Sequence, residues 1–272
     1  MQRSGLARRA VIVHQGADLR PGEDWLAEEA PVELRYNGAS FAVMMATPAD
    51  LEDFAYGFSL TEGRVARAED IRGIVIHEQL EGYVVDVDAA EVEGVDEDSA
   101  RLLPGRSGCG LCGSRHLEDV LRPLAQVPEG PLLEPHALER ALEALSPHQQ
   151  LNSHTGAVHA AAWATPAGDI LHVREDVGRH NALDKLLGAL SRGSVDLRSG
   201  FVLVTSRASY EMVTKAASLG VGVLAAISAP TALAVTLAQS CRLTLTGFVR
   251  PGRHVVYSHP QRLSGMAEAP RP

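Results

Sequence analysis

The sequence predicts an α/β protein in which helices cover both faces of a sheet, preceded by a smaller, mostly β N-terminal subdomain. The second half alternates apolar runs with helical stretches: "GFVLVTS" leads into "SYEMVTKAASLG", and "VGVLAAIS" into "PTALAVTLAQ". Those runs are apolar throughout rather than at alternate positions, as strands buried on both faces require. The first hundred residues differ, with paired strand patterns around Asn37-Gly38, a hairpin dipeptide. A length of 272 residues suits one large domain or two modest ones. The boundaries read as a β-rich subdomain over 1–103, a glycine-rich Cys-x-x-Cys loop over 104–116 and an α/β domain over 117–272.

Residues 1–30 read as irregular. "PVELRYNGASFAVMMATP" is expected to form two strands joined at Asn37-Gly38. Thr47 then reads as the N-cap of a helix, with Pro48 in the first helical position and Asp50 in the first turn. Leu51, Phe54, Ala55 and Phe58 make its apolar face. "IRGIVIHEQLEGYVVDVDA" alternates like paired strands, and the acidic stretch 91–98 reads as a solvated loop or helix start. Residues 104–114 are too rich in glycine and serine for a regular element, and a helix is expected in "SRHLEDVLRPLAQ". A further helix is expected in "PLLEPHALERALEALSPHQQ", with Pro135 near its start. "AVHAAAWAT" fits helix or strand, "GDILHVRED" a strand, and "RHNALDKLLGALSRG" an amphipathic helix with Asn181 as a candidate cap. After the two strand–helix pairs quoted first, "RLTLTGFVRPGRHVVYSH" reads as strand, turn and strand.

The formal net charge of −9 gives no sign of a nucleic-acid partner, so any anionic ligand must be met by local arginines or helix ends. The three cysteines are too few and odd in number for a disulfide framework, which favours a reducing, cytoplasmic setting. The N-terminus has basic residues but no long apolar core, so no secretory signal is read there. The most apolar stretch, 221–238, approaches the ~20 residues of a membrane span. Ser228, Pro230 and Thr231 interrupt it, so strand, turn and helix fit better than insertion.

The stretch "RSGCGLCGSRH" at 106–116 holds Cys109 and Cys112. A structural zinc site needs four ligands, and the remaining cysteine, Cys241, lies in a distant strand context. His116, His154 and His159 would have to complete such a site, at spacings that match no zinc finger. A thioredoxin-like dithiol pair opens a helix directly after a strand, and no clear strand precedes Cys109. A third reading is a sulfur carrier. Gly108, Gly110 and Gly113 remove bulk around the sulfurs, and Arg106, Arg115 and His116 favour thiolate over thiol. A flexible loop without chemistry is the fourth.

Further candidates cluster where strands give way to helices. "VREDVGRHNALDKL" crowds Glu175, Asp176, Arg179, His180, Asn181, Asp184 and Lys185 into one junction, more charge than capping needs. Arg179 and His180 are placed there to meet a phosphate or a cofactor ring. "VTSRAS" sets Thr205, Ser206, Arg207 and Ser209 after an apolar strand, and "ISAPT" does the same with Ser228 and Thr231. Open α/β sheets bind ligands beyond the carboxyl ends of their strands, where helix N-termini offer free N–H groups. "FVRPGR" gives a basic turn in which Arg250 and Arg253 are placed to clamp a diphosphate; simple turn-forming explains it equally well.

Together, "GCGLCG", "SHTGAVHAAA", "REDVGRHNALDKLLG", "TSRASYEMVTKAA", "ISAPTALAV" and "FVRPGR" resemble the FdhD/NarQ family of formate dehydrogenase accessory sulfurtransferases, from about residue 30 to about residue 262. The resemblance implies a layered α/β/α sandwich similar to cytidine deaminase, and a homodimer. It implies a sulfurtransferase that takes persulfide sulfur from a cysteine desulfurase. The sulfur passes to the molybdenum (or tungsten) bis-pterin guanine dinucleotide cofactor that formate dehydrogenase needs. By resemblance the persulfide forms on Cys109 with Cys112 in support, and the guanine dinucleotide meets Phe248, Val249, Arg250, Pro251, Gly252 and Arg253. A guanine nucleotide such as GDP is expected to mimic that cofactor, and no structural metal is expected. Ala157 stands where the family pattern has a second glycine, and no glutamate follows His159, so deaminase zinc chemistry is not expected. The rival readings are a cofactor-binding chaperone without sulfur chemistry and a Cys-x-x-Cys zinc or dithiol protein.

Overall fold

The computed structural model describes residues 5–93 and 124–265. Cys109, Cys112, the glycine-rich loop over 104–116, all but 124–126 of the expected helix "SRHLEDVLRPLAQ", and the acidic stretch beyond residue 93 therefore lie outside the described residues. Residues 124–126 form no regular element.

The chain begins with two ten-residue antiparallel strands, β1 (Leu6–Gln15) and β2 (Asp18–Ala27), where the sequence reading expected irregular chain. Their side chains face solvent on both sides, so no burial pattern marks them. Next come β3 (Ala30–Tyr36) and β4 (Ala39–Ala46), joined at Asn37-Gly38 as expected. Both turn residues take positive φ, 51° and 82°. Helix α1 (Leu51–Thr61) follows, and Leu51, Phe54, Ala55 and Phe58 are all buried. Its cap differs from expectation. Asp50, with φ of 53°, occupies the N-cap position, while Thr47 is fully buried and bonds to a distant element instead. Strands β5 (Ile71–Gln79) and β6 (Gly82–Ala89) complete a four-stranded sheet in the order β4-β3-β6-β5. Val32, Leu34, Tyr36, Val85 and Val87 pack its inner face against Phe54 and Phe58 of α1.

After the gap come α2 (Ala137–Leu145) and the short α3 (Gln150–Thr155). "AVHAAAWAT" settles as a strand, β7 (His159–Ala164), paired with β8 (Ile170–Asp176). Then follow α4 (Arg179–Arg192), β9 (Phe201–Val204), α5 (Tyr210–Ser218), β10 (Val223–Ala226) and α6 (Ala232–Ser240). Strands β11 (Thr244–Arg250) and β12 (Arg253–Ser258) close the second sheet, ordered β12-β11-β10-β9-β7-β8. The apolar stretch 221–238 is thus β10, a turn and α6, and no helix among the described residues is long and apolar enough to cross a membrane.

Both faces of this six-stranded sheet are covered. Ala162, Phe201, Leu203, Val223 and Ala225 face α2, while Trp163, Val202, Val204, Leu224 and Ala226 face α4, α5 and α6. Alternate residues of one strand serve opposite cores, which is why the strand runs are apolar throughout. The sequence predicts an amphipathic α4, yet ten of its fourteen residues are buried. Leu183, Leu186, Leu187 and Leu190 pack in the sheet's core, and the opposite side meets α1. The two helices touch through backbone. A Cβ at Gly57 would collide with the Asp184 carbonyl oxygen, and one at Gly188 with that of Asp53.

Polar groups lock the same interface. Asp176 and Lys185, both fully buried, pair at 2.6 Å, and Lys185 Nζ also donates to the Thr47 carbonyl at 2.9 Å. Asp176 accepts from the Thr47 N–H at 3.0 Å. Lys215 Nζ donates to Glu62 at 2.6 Å and to Asp184 at 2.9 Å. Burial alone would lower the Lys215 pKa, but the charges of Asp184 and Glu62 outweigh it and raise it, so the ammonium stays charged.

Candidate functional site

Strand β7 runs antiparallel to both β8 and β9, and β9, β10 and β11 are mutually parallel. Strands β8, β9, β10 and β11 therefore all end at one edge of the sheet. Three of them turn there directly into α4, α5 and α6, whose N-termini gather beside each other. Each N-terminus carries backbone N–H groups without an intrahelical acceptor and the positive end of a helix dipole.

The connections are zipped together. Ala208 N–H donates to the Ala229 carbonyl at 3.3 Å, and Thr231 N–H to the Ala208 carbonyl at 3.0 Å. Thr231 caps α6 through its hydroxyl, which accepts from Ala234 N–H at 3.3 Å. Strand β11 joins the assembly through a bulge between Gly247 and Arg250. Phe248 sits there at φ 52°, 40% exposed, and donates its N–H to the Ser228 carbonyl at 3.2 Å. Gly247 allows the close approach, since a Cβ would stand 2.9 Å from the ring of Pro230.

All the expected site residues outside the cysteine loop lie at this edge: Arg179 and His180 open α4, Ser206 and Arg207 follow β9, Ser228 follows β10, and Phe248–Arg253 ends β11 and begins β12. They are not equivalent. The side chains of Arg207 and Arg253 are exposed and make no hydrogen bond or ion pair with the described residues, and the buried Nε of Arg179 lacks a partner among them. Arg250 differs: its Nη1 donates to the Ile227 carbonyl at 2.6 Å and to that of Val249 at 2.7 Å, so it anchors the turn. Val249 is buried in the core, and Pro251 and Gly252 make the exposed turn itself. The Ser206 hydroxyl is buried and donates to the Arg207 carbonyl at 3.0 Å.

His180 is 2% exposed; its Nε2 stands 3.4 Å from Glu211 Oε2, and its Nδ1 has no partner among the described residues. Burial alone would raise the Glu211 pKa, but the His180 and Ser209 contacts lower it. Glu211 is not among the residues expected from the sequence, although Ser209, two positions before it, is. From the sequence alone His159 is a candidate zinc ligand and nothing more. It starts β7 opposite Asp176, half-buried, and burial followed by the nearby Arg179 and His180 pushes its pKa below the ordinary 6.5.

The crowded junction "VREDVGRHNALDKL" divides in two. Asp176, Asn181, Asp184 and Lys185 point into the interface with the N-terminal layer, and only Arg179 and His180 serve the edge. Asn181 does not cap α4, whose N-cap is Gly178; its amide donates to the Met45 carbonyl at 2.9 Å and to Asp176 at 3.0 Å. Among the described residues, no group of three or more His, Cys, Asp or Glu side chains stands ready to hold a metal ion.

A protein-family model described as the FdhD/NarQ family matches residues 27–264. The chain belongs to the FdhD/NarQ family. It is 56% identical over 255 residues to the sulfur carrier protein FdhD of Cupriavidus necator, covering 93% of this chain and 88% of that one. It is 52% identical over 262 residues to the protein of that name from Xanthomonas euvesicatoria pv. vesicatoria, covering 96% and 93%. The fold is similar to a crystal structure of a formate dehydrogenase accessory protein from Desulfotalea psychrophila, with a TM-score of 0.77 and 26% identity, over 95% of this chain and 99% of that one. The α/β reading and the family resemblance both hold.

Proposed function

We propose that this FdhD/NarQ chain is a sulfurtransferase of the carrier type serving formate dehydrogenase. The single observation that carries the cofactor half of this reading is the sheet edge. In a protein of net charge −9, three helix N-termini and the unpartnered Arg179 Nε, Arg207 and Arg253 side chains lie at one edge of the sheet, which is the chemistry a phosphorylated ligand needs. The substrate is the molybdenum or tungsten bis-pterin guanine dinucleotide cofactor, whose diphosphates match that chemistry, and GDP is the simple probe of the site.

The sulfur half rests on Cys109 and Cys112. The Cys109 thiolate attacks the outer sulfur of a persulfide on a cysteine desulfurase. A new S–S bond forms on Cys109, and the donor cysteine leaves as its thiolate. Cys112 relays the sulfur or discharges the persulfide. A cytoplasmic homodimer that binds neither nucleic acid nor membrane completes the reading.

Mass spectrometry after incubation with desulfurase and cysteine tests it. An adduct of about 32 Da, one sulfur atom, on the Cys109–Cys112 peptide is the expected result. Cys109→Ala should abolish both the adduct and formate dehydrogenase activation; a fully active Cys109→Ala protein would sink the assignment. A chaperone without sulfur chemistry would bind GDP and show no adduct.

A further inference from the structure

Two consecutive residues at the start of α4 each keep a buried side-chain atom without a partner among the described residues: Nε of Arg179 and Nδ1 of His180. His180 is the more deeply placed, at 2% exposed. A buried polar atom left unmet costs free energy, so one at a ligand-binding edge marks where a ligand atom belongs. The other ring nitrogen is committed. Nε2 stands 3.4 Å from Glu211 Oε2 and 3.5 Å from Ser209 Oγ. Both partners come from the start of α5, where Ser209 is the N-cap and Glu211 lies in the first turn. The Ser209 hydroxyl donates its hydrogen to Glu211 Oε2 at 2.6 Å, so its oxygen offers Nε2 only lone pairs. Glu211 does the same. Burial would raise its pKa, but the contacts with His180 and Ser209 lower it, and the α5 N-terminus favours the anion. Nε2 therefore carries the N–H, and in the neutral ring Nδ1 is a bare lone pair. An anionic oxygen arriving at Nδ1 would meet that lone pair head on. The other tautomer only moves the clash to Glu211. A ring protonated on both nitrogens is the one form that satisfies acceptors on both sides.

We propose that His180 is the contact for a phosphoryl oxygen of the ligand, and that it takes up one proton as that ligand binds. This rests on the reading of the edge as a phosphate site and adds the residue that fits its own charge to the ligand's. An N–H bond forms at Nδ1, the proton comes from water or buffer, and the ring becomes imidazolium. Nδ1–H then donates to the ligand oxygen while Nε2–H stays with Glu211. Glu211 is a positioning residue: it holds the ring and balances the new charge. The charged groups gathered here come from four elements: His159 of β7, Asp176 of β8, Arg179 of α4 and Glu211 of α5. Asp176 is already paired with Lys185 at 2.6 Å. Arg179 and the α4 N-terminus oppose a second proton on the ring, and in the empty site Glu211 alone is left to favour it. A phosphate at Nδ1 tips that balance, because it adds a second anion on the opposite side of the imidazole.

Calorimetric titration of the full chain with GDP, repeated in buffers of different ionisation enthalpy, counts the protons taken up. At about pH 7.5 an ordinary histidine is roughly one-tenth protonated, and a terminal phosphate with a second pKa of about 6 is almost fully ionised. The wild type should take up more than about half a proton per GDP, and its affinity should fall by up to about tenfold per pH unit above neutrality. His180→Gln should bind GDP more weakly and lose most of that uptake, which separates His180 from His159. Glu211→Gln should also reduce the uptake, and Glu211→Asp should restore it, a readout that a purely structural role would not move. On the unaltered protein, nitrogen NMR of the ring is the second measurement: GDP should shift Nδ1 of His180 from the unprotonated to the protonated range. A wild type that does not bind GDP would remove the reading of the edge and this inference together. GDP binding without proton uptake, uptake undiminished in His180→Gln, or an unmoved Nδ1 resonance would overturn this inference alone.

Discussion

The six-stranded sheet has arginines at both edges, placed in different company. Where β8–β11 end, Arg207 and Arg253 stand in solvent with no acceptor among the described residues. Where β11 begins, Arg262 is buried; it donates to the Arg242 carbonyl at 2.7 Å, to Thr244 Oγ1 at 3.3 Å and to the Pro128 carbonyl at 3.2 Å. Burial pushes the Arg262 pKa down, only partly opposed by Glu129, yet guanidinium stays charged at any ordinary pH. The contrast teaches how to read such a residue. Guanidinium donors met by carbonyls and a hydroxyl of the fold make a clamp, and donors left over beside helix N-termini stay free for a ligand. Arg250 shows that one motif can hold both kinds, since it clamps while Arg253 beside it does not.

Three experiments set the two edges against each other. Arg262→Leu should cost the most, about 3 kcal/mol of unfolding free energy, because buried carbonyls lose a charged donor, while affinity for GDP stays unchanged. Denaturant titration beside calorimetric binding reads both numbers, and a loss of affinity would erase the distinction between the edges. Arg207→Ala should do the reverse. One charge-assisted contact is worth about 1.4 kcal/mol or more, so GDP affinity should fall about tenfold while stability moves by less than about 0.5 kcal/mol. The smallest effect is at His159. Its pKa is depressed by burial and then by Arg179 and His180, so the folded state favours the neutral ring. As pH falls through 6.5 the unfolded chain takes a proton first, and the contribution of His159 to stability is lost on the acid side, not the basic one. A bound diphosphate should pull that pKa upward, which NMR titration with and without GDP would show; no shift would place His159 outside the ligand's field.

Much of the fold is legible because burial leaves a period. Alternation around Asn37-Gly38 marks β3 and β4, the spacing of Leu51, Phe54 and Phe58 marks α1, and the unbroken apolar runs mark β9 and β10. The β1–β2 hairpin was not legible, since its apolar residues face water and obey no burial rule. Thr47 and Asn181 were misread as caps because their partners are more than a hundred residues away: Thr47 bonds across to Asp176 and Val177, and Asn181 reaches Met45. For the same reason the charges of the α4 junction looked like one site when most of them are an interlayer lock. The site edge was legible in outline, from small polar residues and arginines following apolar strands. Its division into anchors and unpartnered donors was not, because that depends on which carbonyls fold back to meet each guanidinium.

The glycine contact between α1 and α4 also bears on how the chain is made. Helix α1 is complete at residue 61, but α4, the element it packs against, begins at residue 179. At a synthesis rate of about 5–20 residues per second, the N-terminal layer waits on the order of ten seconds for its counterpart. Through that interval the groove at Gly57 is open and Glu62 has no ammonium to meet, since Lys215 is later still. The four-stranded sheet therefore leaves the ribosome as an unfinished half-core. Until residue 179 is made, the face of α1 that will meet α4 has nothing of this chain to cover it.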